Sequence, residues 1–292
     1  MSLADCGNFM TRFCEQKDKG MKQLKYFSAT AMFLMLISTN AHAAPSAEIM
    51  QKIVDQGVPE DALNRLVKFM DENKGKNFTQ DAYSCEGKDP ASIVPCDDPK
   101  RIKGDRTVTV GTPDNVAIID FAAPSTTERF YMINLKTGVV QKFLAAHGLG
   151  SGKGNYATKF SNQKDSRQTS LGIFLTGDIY YGHFGPAVRM YGLQSSNDQS
   201  YNRDIVMHGA WYAESNFIDM VNQQTGARYG RLGLSWGCPA VGETVIPRVA
   251  QSLSNGSLVM HYYYGLMDKA LSGKEVVAPS SQHNPKFAPE EI

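Results

Sequence analysis

The sequence has almost no excess of either charge. Its 30 basic and 29 acidic residues leave a formal net charge of +1 over 292 residues. No long basic run occurs, so the electrostatic footprint of a nucleic-acid partner is missing. The apolar run from Tyr26 to Ile37 falls short of the roughly 20 residues a membrane helix needs. No His/Cys/Asp/Glu spacing suggests a metal, and no glycine-rich phosphate loop follows a strand, so neither metal nor cofactor is expected. Tryptophan is limited to Trp211 and Trp236, and cysteine to five positions. With 42% hydrophobic and 20% charged residues, the composition is that of a globular chain with a real core.

The N-terminus reads as an address. Lys22 and Lys25 precede the apolar run, and Ala41-His42-Ala43 follows it as a small-x-small cleavage pattern. Residues 1–20 resemble neither signal nor domain. Either translation starts at Met21, or the signal has a long polar front; both give the same mature chain. Residues 1–43 are therefore expected to be a leader, with a signal peptide over 21–43, and the protein to be exported to a periplasm or cell envelope. Without the leader the net charge becomes −1.

Cys6 and Cys14 leave with that segment, and Cys85, Cys96 and Cys238 remain. An odd count in an exported chain suggests one bridge and one reactive or buried thiol. Cys85 and Cys96 flank a short polar loop and are the expected disulfide; the alternative is two free thiols.

Two helices are expected over Ser46–Gln56 and Pro59–Asn73. In the second, Ala62, Leu63, Leu66, Val67 and Met70 recur at helical spacing. Residues 97–105 read as a charged connector. From Thr107 the periodicity shortens to strands: Thr107–Val110, Val116–Phe121, Phe130–Leu135, Val139–Ala146, Leu171–Thr176, Val188–Leu193, Ile205–His208 and Leu258–Tyr264. Lys136-Thr137-Gly138 is a hairpin turn signal, residues 148–162 a long loop, and Thr244–Leu253 a short helix. The organisation predicted is a helical N-terminal region with the disulfide loop over 44–105, a catalytic domain over 106–268, and a loose tail over 269–292. The fold class is mainly β, an antiparallel sandwich or barrel.

One segment carries the chemistry: Arg231-Leu232-Gly233-Leu234-Ser235-Trp236-Gly237-Cys238-Pro239. Gly237 permits a sharp turn beside the thiol, and Pro239 biases Cys238 toward extended backbone while removing one donor. An oxyanion hole here would draw on the N–H groups of Trp236, Gly237 or Cys238. His208, ending the apolar run Ile205-Val206-Met207, is the candidate base. His147-Gly148 is a second such pair, read as lining the cleft or structural and less often as the base. His183 and His261 read as ordinary. Arg189, Arg203 and Arg231 sit where arginines are usually solvated, and none is assigned a role.

His-Gly at a strand end followed by Ser-x-Gly-Cys resembles the L,D-transpeptidase (YkuD-type) catalytic domain, in the branch with Ser-x-Gly-Cys-Pro. Ile118-Ile119-Asp120-Phe121, Leu135-Lys136-Thr137-Gly138, Ala146-His147-Gly148, Phe160-Ser161-Asn162 and Ser170-Leu171-Gly172 stand in the matching order. The resemblance spans about residues 115–264. It implies that Cys238 attacks a peptide carbonyl, that His208 is base and then acid, and that the Gly209 carbonyl orients the imidazole. Ser235, Trp236 and Gly237 would frame the oxyanion and substrate. The implied partner is a peptidoglycan tetrapeptide stem, with loss of D-alanine and transfer to an amine; no cofactor is implied. Trp236 departs from the commoner histidine and is expected to pack or shape the pocket. Residues 211–229 are an insertion able to cover the cleft. Rival readings are an L,D-carboxypeptidase or endopeptidase using water, a sortase-like enzyme, whose Thr-Leu-x-Thr-Cys pattern is absent, and a non-catalytic wall-binding protein.

Overall fold

The computed structural model describes residues 44–85, 96, 98–182 and 185–279. Residues 1–43, the expected leader, with Cys6 and Cys14, the interior of the Cys85–Cys96 loop, His183 and residues 280–292 lie outside the described residues. Two helices open the chain, α1 (Ala47–Asp55) and α2 (Glu60–Asn73). Ser46 Oγ accepts the Ile49 N–H at 3.3 Å as the α1 N-cap. Ala62, Leu63, Leu66, Val67 and Met70 form the buried stripe of α2.

The strands follow: β1 (Asn77–Cys85), β2 (Arg101–Thr109), β3 (Asn115–Asp120), β4 (Phe130–Asn134), β5 (Val139–Phe143), β6 (Lys159–Phe160), β7 (Gly172–Gly182), β8 (Gly185–Gly192) and β9 (Val206–Gly209). After β9 come α3 (Ser215–Asp219), β10 (Ala240–Val241), α4 (Ile246–Leu253), β11 (Leu258–Tyr262), α5 (Met267–Ala270) and β12 (Val276–Val277). Eight strands form one sheet in the order β10-β9-β8-β7-β11-β3-β4-β5. Pairing is antiparallel except at β11–β3 and β10–β9. Beyond β5, Ala146 bridges Ala240 on the far edge strand, with its N–H 2.8 Å from the Ala240 carbonyl. The sheet thereby all but closes into a barrel, which removes most of the exposed edge. The mainly β, barrel-like class read from the sequence is the class observed.

The helices cover the barrel. Helix α4 packs against β3, β7, β8 and β9, and α2 against β11. Helix α1 is fastened to the β4–β5 hairpin: Lys52 Nζ donates to the Thr137 carbonyl at 2.7 Å and Gln56 Nε2 to the Gly138 carbonyl at 2.7 Å. Among the described residues no helix is long and apolar enough to cross a membrane.

Two expectations are corrected. Residues 101–105 are not a connector: β2 runs through them and pairs along its whole length with β1, which the sequence did not reveal. None of the β2 residues is buried, so the strand carries no apolar alternation to read. A Cys85–Cys96 disulfide joins the end of β1 to the segment before β2. Nor is the chain loose from residue 270. Strand β12 pairs with β6, Val276 and Ala278 are buried, and the Ala278 N–H reaches the Thr158 carbonyl at 2.8 Å.

Candidate active site

The Ser235–Pro239 turn is welded to the segment that closes the barrel. The Ser235 N–H donates to the His147 carbonyl at 3.0 Å, and the Leu149 N–H to the Ser235 carbonyl at 2.8 Å. Within the turn, Ser235 Oγ donates to the Cys238 carbonyl at 2.6 Å and accepts the Gly237 N–H at 3.1 Å. Gly237 has φ +119°, and a Cβ there would stand 2.8 Å from the Gln168 carbonyl. Gly148 lies against this turn so closely that its own Cβ would meet Gly237 Cα at 2.9 Å. Both glycines are required by close backbone approach. Ser235 is thus buried and structural in its contacts, and the Gly237 N–H is committed within the turn.

Strand β9 delivers His208 to the same place. His208 pairs with Ala187 on β8 and with Ala240 on β10, and its N–H lies 3.4 Å from the Pro239 carbonyl. Side chains two residues apart share a sheet face. Val206, two before His208 on β9, and Ala187, the register partner of His208, lie on the His208 face, and Cys238 packs against both of them and against Tyr180. His208 Nδ1 is 2.9 Å from the Gly209 carbonyl. A proton on Nδ1 donates to that carbonyl and leaves Nε2 with its lone pair. Burial pulls the His208 pKa below the ordinary value, and the Gly209 contact partly offsets it. The Cys238 thiol is half-buried and its pKa is raised, chiefly by burial, against the opposing pull of the Val206 backbone and of Arg203 and Arg189. A neutral thiol and a neutral imidazole are the resting forms these shifts favour.

His147 is elsewhere in its chemistry. Its ring is fully enclosed, with Nδ1 3.0 Å from Arg129 Nη2 and Nε2 3.1 Å from the Gly152 carbonyl. Arg129 can only donate, so Nδ1 accepts and Nε2 carries the proton. Burial and the Arg129 charge push His147 down to about 3. Of the readings open to it, the structural one fits: it carries the backbone to which the Ser235–Pro239 turn is tied. His261 is buried too, on β11, with Nδ1 2.9 Å from the Ser170 carbonyl and its pKa pushed down to about 4.

These two histidines set an acid limit on stability. Unfolded imidazoles take up protons near 6.5, whereas His147 and His261 resist until about 3 and about 4. Between those values the unfolded state binds more protons, so stability is full above about 6.5 and falls as pH drops through the window. Thermal melts from pH 7 to 4.5 should show a falling Tm whose slope is reduced in His261→Asn. An unchanged slope in that variant would count against the assignment.

Trp236 does not pack. It is 73% exposed, and the Arg167 guanidinium sits 4.7 Å from its ring centroid. The arginines are not solvated as expected either. Arg189 is fully buried over the Tyr180 ring at 4.5 Å, because it lies within β8 and faces inward. Arg203 donates to the Ser161 carbonyl at 2.9 Å and the Gln168 carbonyl at 2.5 Å, bracing the loop behind Gly237. Arg231 is half-buried and donates to the Leu232 carbonyl at 2.6 Å. Sequence reasoning gave Arg189 and Arg203 no part near the thiol; only the sheet register and the turn before β9 bring them there. The 211–229 insertion forms α3 and a Val221–Arg228 bridge, with Phe217 stacked on Tyr229.

The sequence model of the L,D-transpeptidase catalytic domain, YkuD_2, matches residues 101–262, more than half of the chain. No curated protein matches the sequence. Among solved structures, the helical cell shape determining protein Pgp2 (K307A mutant) from Campylobacter jejuni is 18% identical, over 51% of this chain and 48% of that one, with a TM-score of 0.32. An LD transpeptidase, LdtMt1, in complex with imipenem is 14% identical over 55% of this chain and 63% of that one, at a TM-score of 0.31. An L,D-transpeptidase from Mycobacterium smegmatis gives 14%, the same coverage and 0.29. The chain spans less than two thirds of the length of each. The match of 101–262 runs from the first residue of β2 through the Ser235–Pro239 turn to the end of β11, and the chain belongs to the L,D-transpeptidase catalytic-domain family.

Proposed function

We propose that the protein is an exported peptidoglycan L,D-transpeptidase in which Cys238 forms the acyl-enzyme. The observation that carries the reading is the placement of Cys238 and His208 on one face of adjoining segments, with the Gly209 carbonyl 2.9 Å from His208 Nδ1. His208 Nε2 takes the thiol proton as Sγ attacks the carbonyl carbon between the third stem residue and D-alanine. With the Gly237 N–H committed to Ser235, the oxyanion falls to the N–H groups of Trp236 and Cys238. The imidazolium returns its proton to the departing D-alanine amine, leaving a thioester. An acceptor amine then attacks that carbonyl, loses a proton to His208, and the regenerated thiolate leaves and is reprotonated. Water in place of the amine would make the same site an L,D-carboxypeptidase.

Purified disaccharide-tetrapeptide offered as both donor and acceptor separates these outcomes by product mass. A dimer joined through third residues, with one D-alanine released per link, is expected. Tripeptide alone, at high stem concentration, would place the protein with the carboxypeptidases.

Trp236 fits a platform for the stem, because an exposed indole with a guanidinium on one side offers both apolar surface and charge. Trp236→Ala is expected to raise KM roughly tenfold, equivalent to about 1.4 kcal/mol, and to leave kcat within about twofold. A collapse of kcat at unchanged KM would contradict a binding role.

A further inference from the structure

The N-terminal hairpin and the candidate nucleophile meet at one residue, Asp204. It ends the turn before β9 at φ +54°, a left-handed conformation that costs an aspartate energy and needs support. Its N–H donates to the Tyr201 carbonyl at 3.1 Å. Its carboxylate takes Arg101 Nη2 at 2.5 Å on one oxygen and the Tyr83 hydroxyl on the other. Its carbonyl lies 3.6 Å from Cys238 Sγ, within reach of the thiol proton.

Arg101 and Tyr83 belong to β2 and β1, and the Arg101 guanidinium also stacks on the Tyr83 ring at 4.0 Å. Arg101 is itself fixed at two further points. Nη1 donates to the Asn202 carbonyl at 3.3 Å, and Nε donates to the Cys96 carbonyl at 3.0 Å. Cys96 is disulfide-bonded to Cys85, the register partner of Arg101 in the hairpin. A continuous chain of contacts therefore runs from the disulfide through Arg101 and the Asp204 side chain to the carbonyl beside Sγ.

We propose that Asp204 is a positioning residue for Cys238: the hairpin, through Arg101 and Tyr83, grips its carboxylate and so aims its carbonyl at the thiol. The carbonyl accepts the S–H proton and holds Sγ in one rotamer on the His208 face. It favours the neutral thiol over the thiolate, and the thiolate is the form that air and peroxide oxidise. The clamp thus keeps the sulfur aligned and protonated until a substrate arrives. This role does not depend on what the acyl donor is; it rests on the proposed function only for its effect on turnover.

The groups facing the thiol decide the test: Arg203 and Asp204 in the preceding turn, Arg189 on β8, Tyr180 on β7, His208 on β9, and Tyr212 after it. Arg101→Met removes a cation on the far side of Asp204. If charge alone mattered, the thiol would become harder to ionise. If the clamp is released, the carbonyl swings away and the thiol becomes easier to ionise. The two effects have opposite signs.

The full unreduced chain is treated with iodoacetamide across a pH series, and the rate is read on the peptide holding Cys238. The alkylation midpoint in Arg101→Met is expected to fall by about half a pH unit or more, while stem acylation at pH 7 slows roughly tenfold. Tyr83→Phe, which removes only the hydroxyl, is expected to move both in the same directions by less. Cys85→Ala/Cys96→Ala should behave like Arg101→Met, and Arg101→Lys should restore part of the wild-type behaviour. Circular dichroism and Tm identify any variant that fails to fold, and Tyr83→Phe then carries the test. A midpoint that rises or stays put in the folded variants overturns the clamp. Wild-type turnover of stems with an unchanged midpoint in the variants would sink the clamp and leave the proposed function standing. A shifted midpoint without turnover of stems by the wild type would do the reverse.

Discussion

Cys238→Ala is expected to abolish acyl-thioester formation and all stem turnover, while the fold survives. The substitution removes one sulfur from a half-buried position whose surroundings are Tyr180, Ala187 and Val206. Its main-chain contacts, which hold the turn, remain: Ser235 Oγ on its carbonyl and the Gly237 N–H on Ser235. The cost in stability should stay near the 1 kcal/mol typical of a small change. Activity has no second route, since Cys238 is the free cysteine among the described residues and no other nucleophile can form the thioester. Turnover above about one thousandth of wild type in a folded Cys238→Ala protein would contradict the assignment.

His208→Ala is expected to slow acylation by roughly 10²–10⁴-fold, the usual worth of a positioned general base. The thiol ionises reluctantly here because burial raises its pKa, so loss of the neighbouring base falls near the upper part of that range. The pH profile gives a second readout. Burial lowers the His208 pKa, so the imidazole stays neutral and able to accept a proton below the ordinary histidine range. The wild-type rate should hold as pH falls past about 6.5 and decline only at lower pH, once His208 is protonated. In His208→Ala that acid limb should vanish. His147→Ala should act on stability first, because it breaks the Arg129 contact and the enclosed ring's fit. Near-normal rates in His208→Ala, with loss in a folded His147→Ala, would exchange the two roles.

The Ser235–Pro239 turn was legible in the sequence because its requirements are local. Gly237 at positive φ, Pro239 without a donor and a lone cysteine between them are properties of a few adjacent residues. The β strands of the barrel were legible too, since β3, β4, β7, β8 and β11 bury long apolar runs. The β1–β2 hairpin was not, because its register is held by backbone hydrogen bonds and a disulfide, with β2 exposed or half-exposed throughout. The tail after residue 270 hid for a similar reason: two valines pairing with Lys159 and Phe160 give too short a pattern to read. The exposure of Trp236 was not legible, because an indole is usually buried, while its place at the tip of a tight turn leaves it in solvent. The surroundings of the thiol depend on contacts between distant segments. Arg101, Tyr83 and Asp204 are separated by about a hundred residues or more from one end of the cluster to the other, and no spacing announces them.

The most direct measurement is the mass of the protein trapped with its substrate. The wild-type chain is mixed with a tetrapeptide stem, quenched in acid within the first turnover and digested without reduction. The account predicts one tripeptide acyl group on the peptide holding Cys238, labile to hydroxylamine as a thioester is, with one D-alanine released per enzyme and neither signal in Cys238→Ala. An acyl group on another residue, or D-alanine released at the same rate by folded Cys238→Ala, would contradict it.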